Sequence, residues 1–392
     1  MTADASPTMF PALTTDEQAH TTRVSEMLCV AIAAAGGWIS FADYMQRALY
    51  TPGLGYYSAG ATKFGAAGDF VTAPEISELF APLVARTLAD VVDAIGGEVL
   101  ELGAGTGRFA AGALPALASV ARPPQRYDIL EVSADLAARQ RDTLAREAGD
   151  QAARVTWLKT LPQHFRGAIF ANEVLDALPT ERFVIRGGRP ISLGVSWKHG
   201  APAWCESPDA DERSDMIAAV LGSLIATLPD GYVGECCLGA AAWIAALAAA
   251  LQQGVILLID YGLPAPQLYH PQRMAGSLRC YFRHRAHDDP FFHPGLCDIS
   301  AWVNFTAVAT AAVRSGLEVA GFTTQAGFLL QNGIESLLAA DMSDVRRARL
   351  AHGARQLLLP GEMGESVKVI ALAKDCSAAL RGFSLQDLTS QL

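Results

Sequence analysis

The stretch Glu98-Val99-Leu100-Glu101-Leu102-Gly103-Ala104-Gly105-Thr106-Gly107-Arg108-Phe109 constrains the fold more than any other part of the sequence. An apolar, strand-like run ends in an acid and a glycine-dense turn. The alanine-rich run after it predicts a helix as far as Leu114, just before Pro115. Strand, turn and helix in that order open a nucleotide-binding α/β unit. Gly103, Gly105 and Gly107 let the backbone turn tightly and approach a ligand where a Cβ would collide.

The glycine pattern narrows the ligand. It reads G-x-G-x-G, with Arg108 where a dinucleotide fingerprint has its third glycine. Glu101 would meet a cation better than a pyrophosphate. S-adenosylmethionine has an ammonium for a nearby acid, a carboxylate for the helix N-terminus, and no phosphate. The alternative is a glycine turn that is only structural.

Composition bounds the rest. The 392 residues are 51% hydrophobic and 18% charged, enough for a sizeable core in one large domain with insertions, or in two. A net charge of −10 argues against a nucleic-acid partner held by phosphate contacts. The seven cysteines contain no C-x-x-C pair and suit a reducing compartment, so a cytoplasmic location is expected. Met1 to Asp16 does not read as a secretory signal. The longest uncharged apolar run, Cys236 to Leu251, is shorter than the roughly 20 residues of a bilayer span. A soluble protein without a membrane partner is the expectation.

Along the chain, Met1 to Thr22 reads as a loose arm, Ser25 to Ala35 as a helix, and Ser40 as the cap of another through Leu49. Between Tyr50 and Glu78 lies a loop rich in glycine and aromatics, and loops of that length are usually functional or disordered. Pro74 fits the start of a helix running from Glu75 to about Ile95. Tyr127 to Val132 reads as the second strand, followed by a helix from Ala134. Glu131 stands 24 residues beyond Gly107, where a doubly wound fold places the acid that accepts the ribose hydroxyls. Val155 to Leu158 and Gly167 to Ala171 continue the strands, and the latter opens onto Asn172-Glu173-Val174-Leu175-Asp176-Ala177-Leu178-Pro179. Ligands in open α/β sheets lie beyond the carboxyl ends of the strands, so Asn172, Glu173 and Asp176 are expected to face the reacting methyl. Arg182 to Glu206 breaks the rhythm as a small antiparallel insertion. Gly254 to Asp260 is a buried central strand ending in an acid. Leu317 to Gln325 and Ser366 to Ala373 close the sheet.

The loop from Leu263 to Cys297 holds His270, His284, His287 and His293 beside Asp288 and Asp289. His284-x-x-His287 lacks the helical i,i+4 spacing of a chelate, and Arg273, Arg279, Arg283 and Arg285 would repel a cation. A hydrogen-bonded loop is expected there and no metal.

Several segments together resemble one family: Gly68-Asp69-Phe70-Val71-Thr72-Ala73-Pro74-Glu75-Ile76-Ser77, Leu130-Glu131-Val132-Ser133, Asn172 to Pro179, Ile259-Asp260-Tyr261-Gly262, and Pro294 to Ser300. The chain is similar to the MidA-type methyltransferases, relatives of the mitochondrial complex I assembly factor that methylates an arginine. The resemblance implies a class I methyltransferase (Rossmann-like) fold, with a mostly parallel seven-stranded sheet and an antiparallel edge strand. It also implies S-adenosylmethionine held at Glu101, Gly103, Gly105, Gly107 and Glu131, and an arginine of a protein acceptor. Thr72 and Asn172 complete the expected donor-binding set. Asn304 stands where the family usually shows aspartate, and Glu235-Cys236-Cys237-Leu238 replaces a more polar stretch. The expected organisation is an N-terminal extension (1–95), a methyltransferase domain (96–375) with insertions at about 180–250 and 263–297, and a tail (376–392).

An arginine acceptor needs carboxylates that hold the guanidinium and draw its charge from the attacking nitrogen. Glu75, Glu173, Asp176 and Asp260 are the candidates, with Glu78 sharing a helix face with Glu75 if both lie on one helix. Two rivals remain at this stage. One is a small-molecule O-methyltransferase with His284 or His287 as base. The other is a donor-binding assembly factor with little turnover.

Overall fold

The computed structural model describes residues 10–58, 72–208 and 212–392. Residues 68–71 of the Gly68–Ser77 segment therefore lie outside the described residues. The chain forms two compact units, one of 1–70, 179–236 and 271–301, the other of 71–178, 237–270 and 302–392.

The second unit is built on one sheet. Its strands among the described residues are β1 (Glu98–Leu102), β2 (Tyr127–Leu130), β3 (Val155–Leu158), β4 (Phe165–Asn172), β5 (Leu251–Leu263), β6 (Glu318–Thr324) and β7 (Val367–Lys374). In space they run β3-β2-β1-β4-β5-β7-β6, with the two-residue segment Val303–Asn304 added beside the end of β5. The first five pair in parallel, and β7 runs antiparallel to both its neighbours. The reversed strand is thus seated one place in from the edge. Strands β4 and β5 are buried along nearly their whole length, as continuous apolar runs covered on both faces must be. One face packs on helices Phe80–Ile95 and Arg108–Ala118, the other on Ala240–Ala250 and Phe305–Arg314. Crossing from β1 to β4 reverses the strand order, so the carboxyl ends of these two strands flank the switch point.

The first unit is a small antiparallel sheet, ordered Trp38–Ile39, Arg189–Lys198, Glu181–Arg186, Val233–Cys236, with Ala201–Glu206 along the long hairpin. Helices Thr15–Ala34 and Phe41–Tyr50 pack with it through Val24, Leu28, Phe41, Tyr44, Met45 and Val195. Residues Arg279–Phe282, Arg285–His287 and Asp298–Ser300 form a further three strands.

Three expectations fail on local geometry. The arm expected to reach Thr22 turns helical at Thr15, because Thr14 and Glu17 form a reciprocal capping box. Pro115 does not end its helix, which continues to Ala118 with the ring exposed in the last turn. The helix expected from Glu75 to Ile95 is two helices, Ala73–Ile76 and Phe80–Ile95, broken at Ser77 in an extended conformation. Ser77 Oγ accepts the Leu79 N–H, the local bond by which serine competes with a helix.

Candidate active site

The expected donor-binding residues and candidate carboxylates all lie in the second unit, and His284 and His287 lie in the first. The turn after β1 has Gly103, Gly105 and Gly107 at φ of 65°, 52° and 83°. These left-handed values favour glycine, which has no Cβ to strain. Gly107 caps the helix Arg108–Ala118 without a side-chain bond to its first N–H groups, leaving an anion-favouring terminus. Among the described residues, a methyl on Gly105 would meet nothing within 4 Å. One on Gly103 would come within 2.8 Å of the Val174 side chain. The turn is walled at Gly103 and open at Gly105.

The two strand-end acids differ. Glu101 is buried and accepts the Tyr127 hydroxyl at 2.7 Å; burial pushes its carboxyl up to about 8, against the pull of that hydrogen bond. Glu131 accepts the Ser133 N–H at 2.8 Å on one oxygen and the Gln140 amide at 3.0 Å on the other. Burial raises its carboxyl too, with these two donors working the other way. In the sequence Gln140 is one polar residue in a polar helix, with no local signal that marks it.

At the end of β4 the chain makes a second turn. Glu173 is left-handed at φ 52°, and its Oε1 accepts from Asn172 Nδ2 at 2.9 Å and from the Ala73 N–H at 3.2 Å. Asn172 Oδ1 is buried without a hydrogen-bond partner among the described residues. Asp260, at the end of β5, accepts the N–H groups of Val174, Leu175 and Asp176 on Oδ2 and of Tyr261 on Oδ1. Burial and the neighbouring Glu173 raise its carboxyl, and the backbone donors oppose them. Asp260 therefore anchors the turn that carries Glu173 and Asp176, with both oxygens engaged by main chain.

Glu75 reaches the glycine turn. Its Oε1 accepts the Thr106 hydroxyl at 2.5 Å, and Arg108 Nε stands 3.5 Å from Oε2. Thr72 caps the short helix ahead of it. Glu78, past the break at Ser77, does not share a face with Glu75 and pairs with Arg346 and Arg349. Asn304 caps the helix Phe305–Arg314 by accepting the Ala307 N–H, a task asparagine and aspartate do equally well. In the first unit, His287 stands edge-on to Phe10 and Phe292 and His293 lies against Phe292, while Arg283 makes a two-armed ion pair with Glu17. Among the described residues no three His, Cys, Asp or Glu gather as metal ligands, and no helix is long and apolar enough to cross a membrane.

A family model described as S-adenosyl-L-methionine-dependent methyltransferase (Methyltransf_28) matches residues 83–323, more than half of the chain. The chain belongs to this methyltransferase family. Among curated proteins it is 28% identical over 382 residues to the mitochondrial protein arginine methyltransferase NDUFAF7 homolog of Drosophila melanogaster (88% of this chain, 83% of the relative). It is 27% identical over 378 residues to the human NDUFAF7 protein (86% and 80%). Among solved structures, a Burkholderia thailandensis protein bound to S-adenosyl-homocysteine is 43% identical with a TM-score of 0.93, covering 98% of this chain and 100% of that one.

The methyltransferase has a site whose chemistry fits its donor. Among the described residues space stands open at Gly105 and Asn172 Oδ1 is buried without a donor, and the Glu131 carboxylate is pinned beside the turn. The cofactor is S-adenosylmethionine.

Proposed function

We propose that this methyltransferase acts on an arginine side chain of a protein acceptor. The observation that carries the reading is the corner at Asn172–Glu173. A non-glycine residue at φ 52° costs roughly 1 kcal/mol or more, and such strain concentrates where a side chain is needed in one place. Here it presents a carboxylate at the carboxyl end of β4, next to the Asn172 amide. A carboxylate held in place matches the N–H groups of a guanidinium. The curated relatives named as protein arginine methyltransferases support the same acceptor.

In this reading the glycine turn, Glu131, Thr72 and Asn172 hold the donor, with Glu101 behind the turn. Bound there, S-adenosylmethionine supplies an electrophilic methyl on a sulfonium. The chain's own work is orientation. Glu173 holds one guanidinium nitrogen and draws positive charge toward it, so that another nitrogen keeps its lone pair for the methyl. The Asp260 anchor keeps that carboxylate in place, and such positioning supplies much of the rate in a displacement. Asp176, on the same turn, is the base that receives the proton the methylated nitrogen sheds. Glu75 acts through Thr106 and Arg108 to hold the turn.

The test uses donor labelled in the methyl and dialysed cell-extract protein as acceptor, followed by acid hydrolysis and amino-acid separation. Label should appear as methylarginine and fall by about 100-fold or more with Glu173→Gln. Label in another residue, or only in small molecules of an undialysed extract, overturns the arginine reading.

A further inference from the structure

Gln140 lies on the helix Ala134–Glu147 and is wholly buried, although its neighbours in sequence are charged. Its side-chain amide meets three groups. Nε2 donates to the Gly105 carbonyl at 3.1 Å and to Glu131 Oε2 at 3.0 Å, and Oε1 accepts the Trp157 indole N–H at 2.9 Å. Both hydrogens of the amide nitrogen are used, and each goes to an element of the donor site.

The orientation of that amide is determined. An indole only donates, whereas a carbonyl and a carboxylate only accept. With Trp157 on one side and Gly105 and Glu131 on the other, one placement of oxygen and nitrogen satisfies all three. The reversed amide would set oxygen against two acceptors and leave the indole N–H without its partner, at a cost of about 1–3 kcal/mol for each buried group left unmade. Trp157 is itself stacked against the Arg141 guanidinium, 4.4 Å from the ring centre. The glycine turn closes directly on this residue, since a Cβ on Gly107 would stand 3.1 Å from Gln140 Cα.

We propose that Gln140 is a positioning residue for donor binding, which ties the Glu131 carboxylate to the glycine turn and so fixes where the ribose hydroxyls are accepted. Trp157 sets the orientation in which Gln140 can do this. The proposal rests on reading Glu131 as the acceptor of the ribose hydroxyls. It concerns a residue that touches the carboxylate and the turn, so its signature is the recognition of ribose and not the transfer step.

The experiment titrates the whole chain calorimetrically with S-adenosylhomocysteine and with its 2′-deoxyribose counterpart. The wild-type protein should favour the ribose form by roughly tenfold or more, the size of a hydrogen bond to a charged group. Glu131→Ala should abolish that preference. Gln140→Leu, of similar volume, should weaken S-adenosylhomocysteine by about tenfold and shrink the preference below about threefold. Trp157→Phe should shift the preference the same way by a smaller factor. If Gln140→Leu weakens both ligands equally and keeps the preference, the residue only supports the fold and the proposal is overturned. If Gln140→Leu shows no cooperative melt, Trp157→Phe decides, and an unchanged preference there overturns it as well. A wild-type protein with no preference, or one retained in Glu131→Ala, removes the reading of Glu131 and the proposal with it.

Discussion

The methyltransferase turns its chain twice at the carboxyl ends of adjacent strands, once after β1 and once after β4, and solves the same backbone problem in opposite ways. After β1 the left-handed positions are glycines, which take φ of 52° to 83° without steric penalty and leave open space at Gly105. After β4 the left-handed position is Glu173, which takes φ 52° with a full side chain. The first turn removes side chains so that a ligand can approach the backbone. The second keeps a side chain in spite of the strain, and Asp260 holds the turn beyond it through three main-chain N–H groups. In the proposed reading a turn relieved by glycine receives the donor, and a turn held by a buried carboxylate presents a charge to the acceptor.

The largest test of this contrast is Gly105→Val. A β-branched side chain at φ 52° is strained and fills the space above the turn, so affinity for S-adenosylmethionine should drop by at least about 100-fold in a calorimetric titration. Retained binding would mean that the open turn is not where the donor lies. Next comes Asp260→Ala, which strips the second turn of its anchor and leaves main-chain donors unpaired in a buried place. Urea unfolding should show a loss of about 3 kcal/mol. A loss under about 1 kcal/mol would show that the turn holds itself. The smallest effect sharpens the comparison by making the second turn resemble the first. Glu173→Gly relieves the strain and removes a charge facing Asp260, but it also unpairs the Asn172 amide and the Ala73 N–H, so stability should change by less than about 1 kcal/mol while methyl transfer is abolished. A larger destabilisation in the melts with methyl transfer retained would assign the carboxylate to the fold and not to the reaction.

Much of the frame was legible in the sequence. The strands β1, β4 and β5 carry mostly apolar residues with polar groups near their ends, and the glycine turn declares itself within a dozen residues because its chemistry is local. Capping signals were equally local. Ser40 caps the helix Phe41–Tyr50 as its sequence context predicts, and Thr14 with Glu17 carries the same kind of local signal. The sequence gives Glu75 and Glu78 a helical spacing, yet they part at Ser77, whose own side chain supplies an alternative to the helix. Asp260 reads as one more strand-end acid among the acceptor candidates. Its occupation by main-chain groups of residues 174–176 depends on strands that meet only when the sheet forms.

By itself the sequence determined that this chain builds a parallel α/β sheet with a glycine turn suited to a methyl donor, since hydrophobic runs and glycines act over neighbouring residues. Tertiary structure alone decided which polar groups meet: Gln140 with Gly105, Glu131 and Trp157, and Asp260 with the turn that follows Glu173. Hydrogen bonds of that kind form between residues far apart in sequence and carry no local periodicity. They exist only once the burial of apolar strands has brought those residues within 3 Å or so, where an unmade bond becomes costly.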